Sequence, residues 1–148
     1  NSYIQFWDQR LGLDELPQLQ LGDPAVELMV LSACRTVLGD SEAELGFAGL
    51  AIKSGAKSAI AALWQVSDLE TAGLMAEFYT QLGAVTYKAE ALRQAQLAML
   101  RGEVTVSDNA LIWSGGSEPL PDEFRRTNFA DTRHPYYWSA FTLVGNPW

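Results

Sequence analysis

Two side chains in this 148-residue chain stand out because each occurs only once: the cysteine, Cys34, and the histidine, His134. A thiolate attacks a carbonyl carbon and an imidazole can take the proton from the thiol. A Cys–His pair is therefore a minimal kit for nucleophilic bond cleavage. An unassisted thiol is mostly protonated near neutral pH, so the nucleophile needs a base within hydrogen-bonding reach. No histidine precedes Cys34, and His134 lies 100 positions after it, in HPYYW. Beside a proline and two tyrosines, a histidine ordinarily has a structural role. On residue type alone, Cys34 reads equally well as a nucleophile and as a buried filler, because free cysteines are among the most buried residues.

The surroundings of Cys34 are LMVLSACRTVLGD, residues 28–40. Ser32 and Ala33 are small and would let a peptide approach. The backbone N–H of Cys34 could contribute to an oxyanion hole, a device that typically lowers a barrier by a few kcal/mol. Arg35 either supports a thiolate or points to solvent, and both readings stay open. Asp40, Glu42 and Glu44 could attract a cation, but a solvated loop is the favoured reading. Trp64 could wall a pocket, with core packing favoured. Asp68, in WQVSD, suits the N-cap of the helix that follows it. No Cys/His cluster has metal-ligand spacing, and Gly46 and Gly49 form no phosphate-binding fingerprint, so neither metal nor cofactor is expected.

The elements that must hold these residues follow from apolar periodicity. VELMVLSA (26–33) and AIAALWQV (59–66) are near-continuous apolar runs, the pattern of strands buried on both faces. SYIQFWDQ (2–9) suits a short strand, and residues 11–24 a turn or short helix. GDSEAE (39–44) reads as a polar loop, and ELGFAGLAIKSGAKS as a short helix with Gly55 near its end. Helices are expected over 69–83, with Leu74, Phe78 and Leu82 on one face, and over 88–102, stopped by Gly102. Residues 103–133 read as a long insertion with a small hairpin between Glu103 and Trp113. YYWSAFTLV, within 134–148, reads as a closing strand. Strand–helix–strand–helix–helix–strand predicts a layered α/β sheet covered by helices.

Bulk properties narrow the function classes. The length suits one domain. Ten basic against eighteen acidic residues give a net charge of −8, unfavourable for nucleic-acid or anionic-membrane binding. No apolar run approaches the roughly 20 residues of a membrane span, and no signal peptide is visible. A single cysteine excludes an intrachain disulfide and suits a reducing, cytoplasmic compartment.

The order LSAC, GFAGLAIKSGAKSAIAALWQVSD, FYTQL, KAEALRQAQLAML, HPYYWSAFTLVG resembles the C-terminal part of a CHAT domain, and the resemblance is weakest across 103–133. CHAT domains are caspase-like modules related to separase and often found behind tetratricopeptide repeats. The resemblance implies a caspase-like α/β fold and a cysteine endopeptidase acting on peptide or protein substrates. It maps the nucleophile onto Cys34. It implies that an acidic residue near Asp68 could read a basic side chain of the substrate, where a charge-assisted contact would form; the capping reading is favoured about two to one.

In that family the partner histidine follows the preceding core strand, upstream of the cysteine, which is not where His134 lies. The chain begins at Asn1 without a methionine, and the expectation is a piece of a larger domain whose histidine-bearing strands precede residue 1. Alone, such a chain would be inactive. The edge of VELMVLSA would then be exposed and would pair with the missing half or with another copy. The alternative function is a catalytically inactive, caspase-like protein-interaction module.

Overall fold

The structure, a computed structural model, describes residues 3–5, 7–12, 14–32, 41–124 and 131–148. Strands β1 (Tyr3–Gln5), β2 (Arg10–Gly12) and β3 (Met29–Leu31) are followed by α1 (Ser41–Lys53), β4 (Ser58–Ala62), α2 (Asp68–Leu82) and α3 (Lys88–Arg101). Then come β5 (Thr105–Ser107), β6 (Ala110–Trp113), β7 (Gly116–Pro119), the short helix α4 (Pro135–Trp138) and β8 (Phe141–Gly145). The fold is α/β, as the apolar runs predict. The chain divides into two compact units, one of residues 1–66 with 140–147 and one of residues 67–139 with Trp148.

The first unit is built on a sheet of order β3–β4–β8. β3 runs parallel to β4, with Leu31 opposite Ala61, and β8 runs antiparallel, with Ala62 opposite Phe141. Every residue of β4 is buried, as expected of a central strand with both faces covered. On one face α1 brings Ala48 against Ala59 and Ala61, with Met29, Leu31, Ile52 and Val144 around them. Alanine meeting alanine lets helix and strand backbones approach closely, so small residues here are the condition for packing. Leu11, Leu16 and Phe47 form a neighbouring cluster with Leu21 and Leu50, tying the 3-10 turn at Leu16–Leu19 to the same helix. After α1 the chain turns at Gly55, whose φ is +109°. A Cβ there would stand 2.5 Å from the Gly22 backbone, so only glycine fits.

The second unit is a helical pair carrying a small sheet. α2 lies along α3. In α3, Lys88, Ala91, Leu92, Ala95, Ala98 and Met99 are buried at helical spacing on a chain of strong helix formers. Its sheet has order β5–β6–β7, antiparallel throughout. The β5–β6 loop is Asp108-Asn109, both with positive φ, the conformation of a tight hairpin turn matched to strand twist. The polar segment expected to hold a single hairpin thus folds as three strands over Thr105–Pro119.

α2 fastens this sheet through polar groups. Glu77 is 1% exposed. One of its carboxylate oxygens accepts from Ser114 Oγ at 2.8 Å and Gln81 Nε2 at 2.7 Å, and the other from Ser114 N–H at 2.9 Å. Trp113 Nε1 donates to Thr80 Oγ1 at 3.1 Å. Gly115 fits beneath them; a Cβ there would stand 2.5 Å from Thr80 Oγ1.

Several expected boundaries shift. Helix α1 starts at Ser41, so 41–44 are helical rather than loop. β4 ends at Ala62, short of the expected Val66. Tyr136–Trp138, the start of the expected strand YYWSAFTLV, instead belong to a helical turn, Pro135–Trp138. Pro135 at its first position supplies a preset φ, and His134 caps it.

Candidate functional site

In an open sheet with parallel strands, ligands are met beyond the carboxyl ends of the strands. Here that edge is where β3 ends at Leu31, paired with Ala61, and β4 ends one residue later at Ala62. Ser32 leaves β3 immediately beyond it, half-buried. Trp64 leaves β4 two residues past Ala62 and is also half-buried. Leu63 N–H donates to the Ala140 carbonyl at 2.8 Å, so the chain entering β8 closes the rim beside them. Sequence reasoning missed Ala140 because a backbone carbonyl leaves no trace in residue type. Cys34 lies outside the described residues, as do Arg35 and Asp40. In sequence, Cys34 stands three positions after the last residue of β3 and seven before the first of α1.

Of the residues proposed to bind substrate, Ser32 and Trp64 are brought to one sheet edge. Asp68 belongs to the other compact unit, as the first residue of α2, and is exposed. It is not the N-cap. Ser67 takes that position with extended backbone, and its side chain makes no capping hydrogen bond. Asp68 and Glu70 in the first turn instead place negative charge near the exposed N–H groups, which the helix dipole favours.

His134 has a defined structural task. Its Nδ1 accepts the Tyr136 N–H at 3.2 Å and caps α4. The bond occupies the ring nitrogen nearest the backbone and ties the imidazole to the start of α4. The buried acid Glu77, invisible as special in the sequence because it sits among ordinary helix residues, has both oxygens engaged and serves as an anchor. Among the described residues no three His, Cys, Asp or Glu side chains are grouped to hold a metal ion, and no helix is long and apolar enough to cross a membrane.

No curated protein and no solved structure matches the chain at a significant level. The family model described as CHAT domain matches residues 1–146, nearly the full length, in keeping with the strand–helix order found here. The chain belongs to the CHAT domain family.

Proposed function

We propose that this chain carries the nucleophile of a CHAT-type cysteine endopeptidase, with Cys34 as the attacking thiol and its histidine supplied from upstream of residue 1. The observation that carries the reading is the pair of parallel strands ending within one residue of each other, with Cys34 three positions after the end of one in sequence, in a chain matched to the family over residues 1–146. The capping role of His134 supports a base from elsewhere.

The chemistry runs in two stages. An imidazole takes the thiol proton of Cys34, and the thiolate adds to the peptide carbonyl carbon. The carbonyl oxygen becomes negative and is met by backbone N–H groups, that of Cys34 among them. As the C–N bond breaks, the imidazolium gives its proton to the departing amine, leaving an acyl thioester on sulfur. Water, deprotonated by the same imidazole, then attacks the thioester carbon and releases the acid and the thiol. Ser32 and Trp64 line the approach at the strand edge. The substrate is a peptide or protein, the working environment is the cytoplasm, and tetratricopeptide repeats accompany the domain in the full protein.

The test joins the chain to its upstream coding sequence and measures cleavage of a peptide library before and after Cys34→Ala. The expected result is a loss of at least about 10³-fold, the usual scale for removing a nucleophile. Equal rates in the two proteins would overturn the reading. One observation favours a second function, that of a catalytically inactive interaction module: the only histidine present is already committed to a helix cap. An upstream sequence with no histidine after an apolar strand would decide for that module.

A further inference from the structure

Helix α4 begins on an uncommon cap. The residues that ordinarily accept a hydrogen bond at a helix start are Asn, Asp, Ser and Thr, whose oxygens remain acceptors at neutral pH. Here the place is held by His134, with φ −65° and ψ 127°, and its Nδ1 accepts the Tyr136 N–H at 3.2 Å. A ring nitrogen accepts only while it carries no proton; once protonated it is a donor. An ordinary histidine changes charge at about pH 6.5, so this acceptor, unlike those oxygens, is lost within the physiological range. α4 has only four residues, Pro135–Trp138, so one bond at its start is a large share of what holds the turn. Its last residue ties it to α3, where Gln96 Nε2 donates to the Trp138 carbonyl at 3.1 Å. The Trp138 ring is held as well, its Nε1 donating to the Arg133 carbonyl at 3.1 Å.

We propose that His134 is a pH-operated latch: the neutral ring closes α4, and protonation at Nδ1 opens it and loosens its tie to Gln96. The charges around the ring do not cancel the effect. Asp131 is the acid whose charge acts on His134, and its carboxylate is already held by the Arg133 guanidinium at 2.8 Å. Its attraction steadies a charged ring but gives the Tyr136 N–H no acceptor. The positive end of the helix and the neighbouring Arg133 both oppose a further positive charge at that place, which favours the open turn once the ring is charged. Tyr137 lies edge-on to the ring with centres 6.2 Å apart, and Tyr136 lies beyond it; phenols ordinarily stay neutral across this range. α2 and α3 pack against α4. None of their charged side chains bonds to His134 among the described residues, neither Asp68, Glu70 and Glu77 of α2 nor Lys88, Glu90, Arg93 and Arg101 of α3. The cap needs the uncharged ring, so its contribution is whole above the histidine range and is lost as pH falls through it. The latch needs no catalysis and stands whether or not Cys34 is a nucleophile.

His134 is the only histidine of the 148-residue chain, so its ring signals in an NMR spectrum need no disentangling. The experiment titrates the chain between about pH 8 and about pH 5, the span over which histidine ordinarily changes charge. It reads the ring nitrogens, the Cα shifts of Tyr136–Trp138 and the side-chain amide of Gln96. At the upper end the ring should carry its proton on Nε2 and α4 should be helical. As the ring titrates, the ratio of open to closed turn should rise about 5-fold, the scale of losing one cap. The Gln96 amide should move with the same midpoint while the β4 amides stay fixed. His134→Asn keeps an acceptor that does not titrate and should hold α4 closed at both ends. His134→Ala should resemble the acid form already at the upper end. α4 shifts that stay put while the ring titrates would overturn the proposal, as would an α4 transition that persists in His134→Asn. So would a neutral ring with its proton on Nδ1.

Discussion

The two sheets solve the same problem by opposite means. The β3–β4–β8 sheet has a central strand, SAIAA, buried along its whole length, and it is held by alanine-to-alanine contact with α1. The β5–β6–β7 sheet is half-exposed, with β7 open to solvent throughout, and α2 holds it through a carboxylate and a hydroxyl as well as apolar contacts. Apolar packing is non-directional and tolerates small shifts. A buried carboxylate is directional, and it is stable only while its hydrogen-bond donors stay in place. The first sheet is therefore held by the shape of its packing, and the second by the chemistry of one acid.

Three substitutions probe that contrast. Ile60→Ala empties a fully buried position in β4 on the face away from α1 and should lower stability by about 4 kcal/mol. Equilibrium denaturation measures this, and a loss under about 1 kcal/mol would mean the site collapses freely and the close-packed picture is wrong. Glu77→Gln keeps the shape but turns one acceptor into an NH₂ group facing donors, and should cost about 2 kcal/mol. The loss should show in hydrogen exchange as faster exchange at Trp113 and Ser114, with β4 amides unchanged. Uniform acceleration across both units would break the distinction between them.

The smallest effect belongs to Asp131, exposed in the second unit. Hydrogen bonds from the Arg133 guanidinium, then from its backbone N–H, hold this carboxyl down to about 2, below its usual value near 4. A carboxyl whose pKa falls on folding contributes stability above its unfolded pKa and loses that contribution as pH drops through the folded value. Asp131→Asn should therefore change the pH dependence of unfolding only between about pH 4 and pH 2. A carboxyl NMR titration of Asp131 with its midpoint near 4 would show that the pairing does not persist in solution.

Much of the architecture is legible from spacing. The central strand follows from an apolar run too short for a helix, and α2 and α3 follow from apolar residues every third or fourth position. The stop at Gly102 follows from a left-handed residue where the helix needs one. The expected strand over YYWSAFTLV is only half right. Aromatic residues favour strands in general, but Pro135 with a capping histidine in front of it favours a helical start, and the local signal wins for Pro135–Trp138. Asp68, expected as a cap, is one position too late, because Ser67 already holds the extended conformation. Among the candidate site residues, Ser32 and Trp64 each follow a strand end on the same side of the sheet because β3 runs parallel to β4, a relation no linear pattern states.

Residue order by itself determined which segments are buried on both faces, where helices stop, and which family the chain resembles, because these depend on local spacing and on residue type. Tertiary structure alone decided that Ala48 meets Ala59 and Ala61 and that Glu77 grips Ser114. Each joins residues more than ten positions apart in the chain.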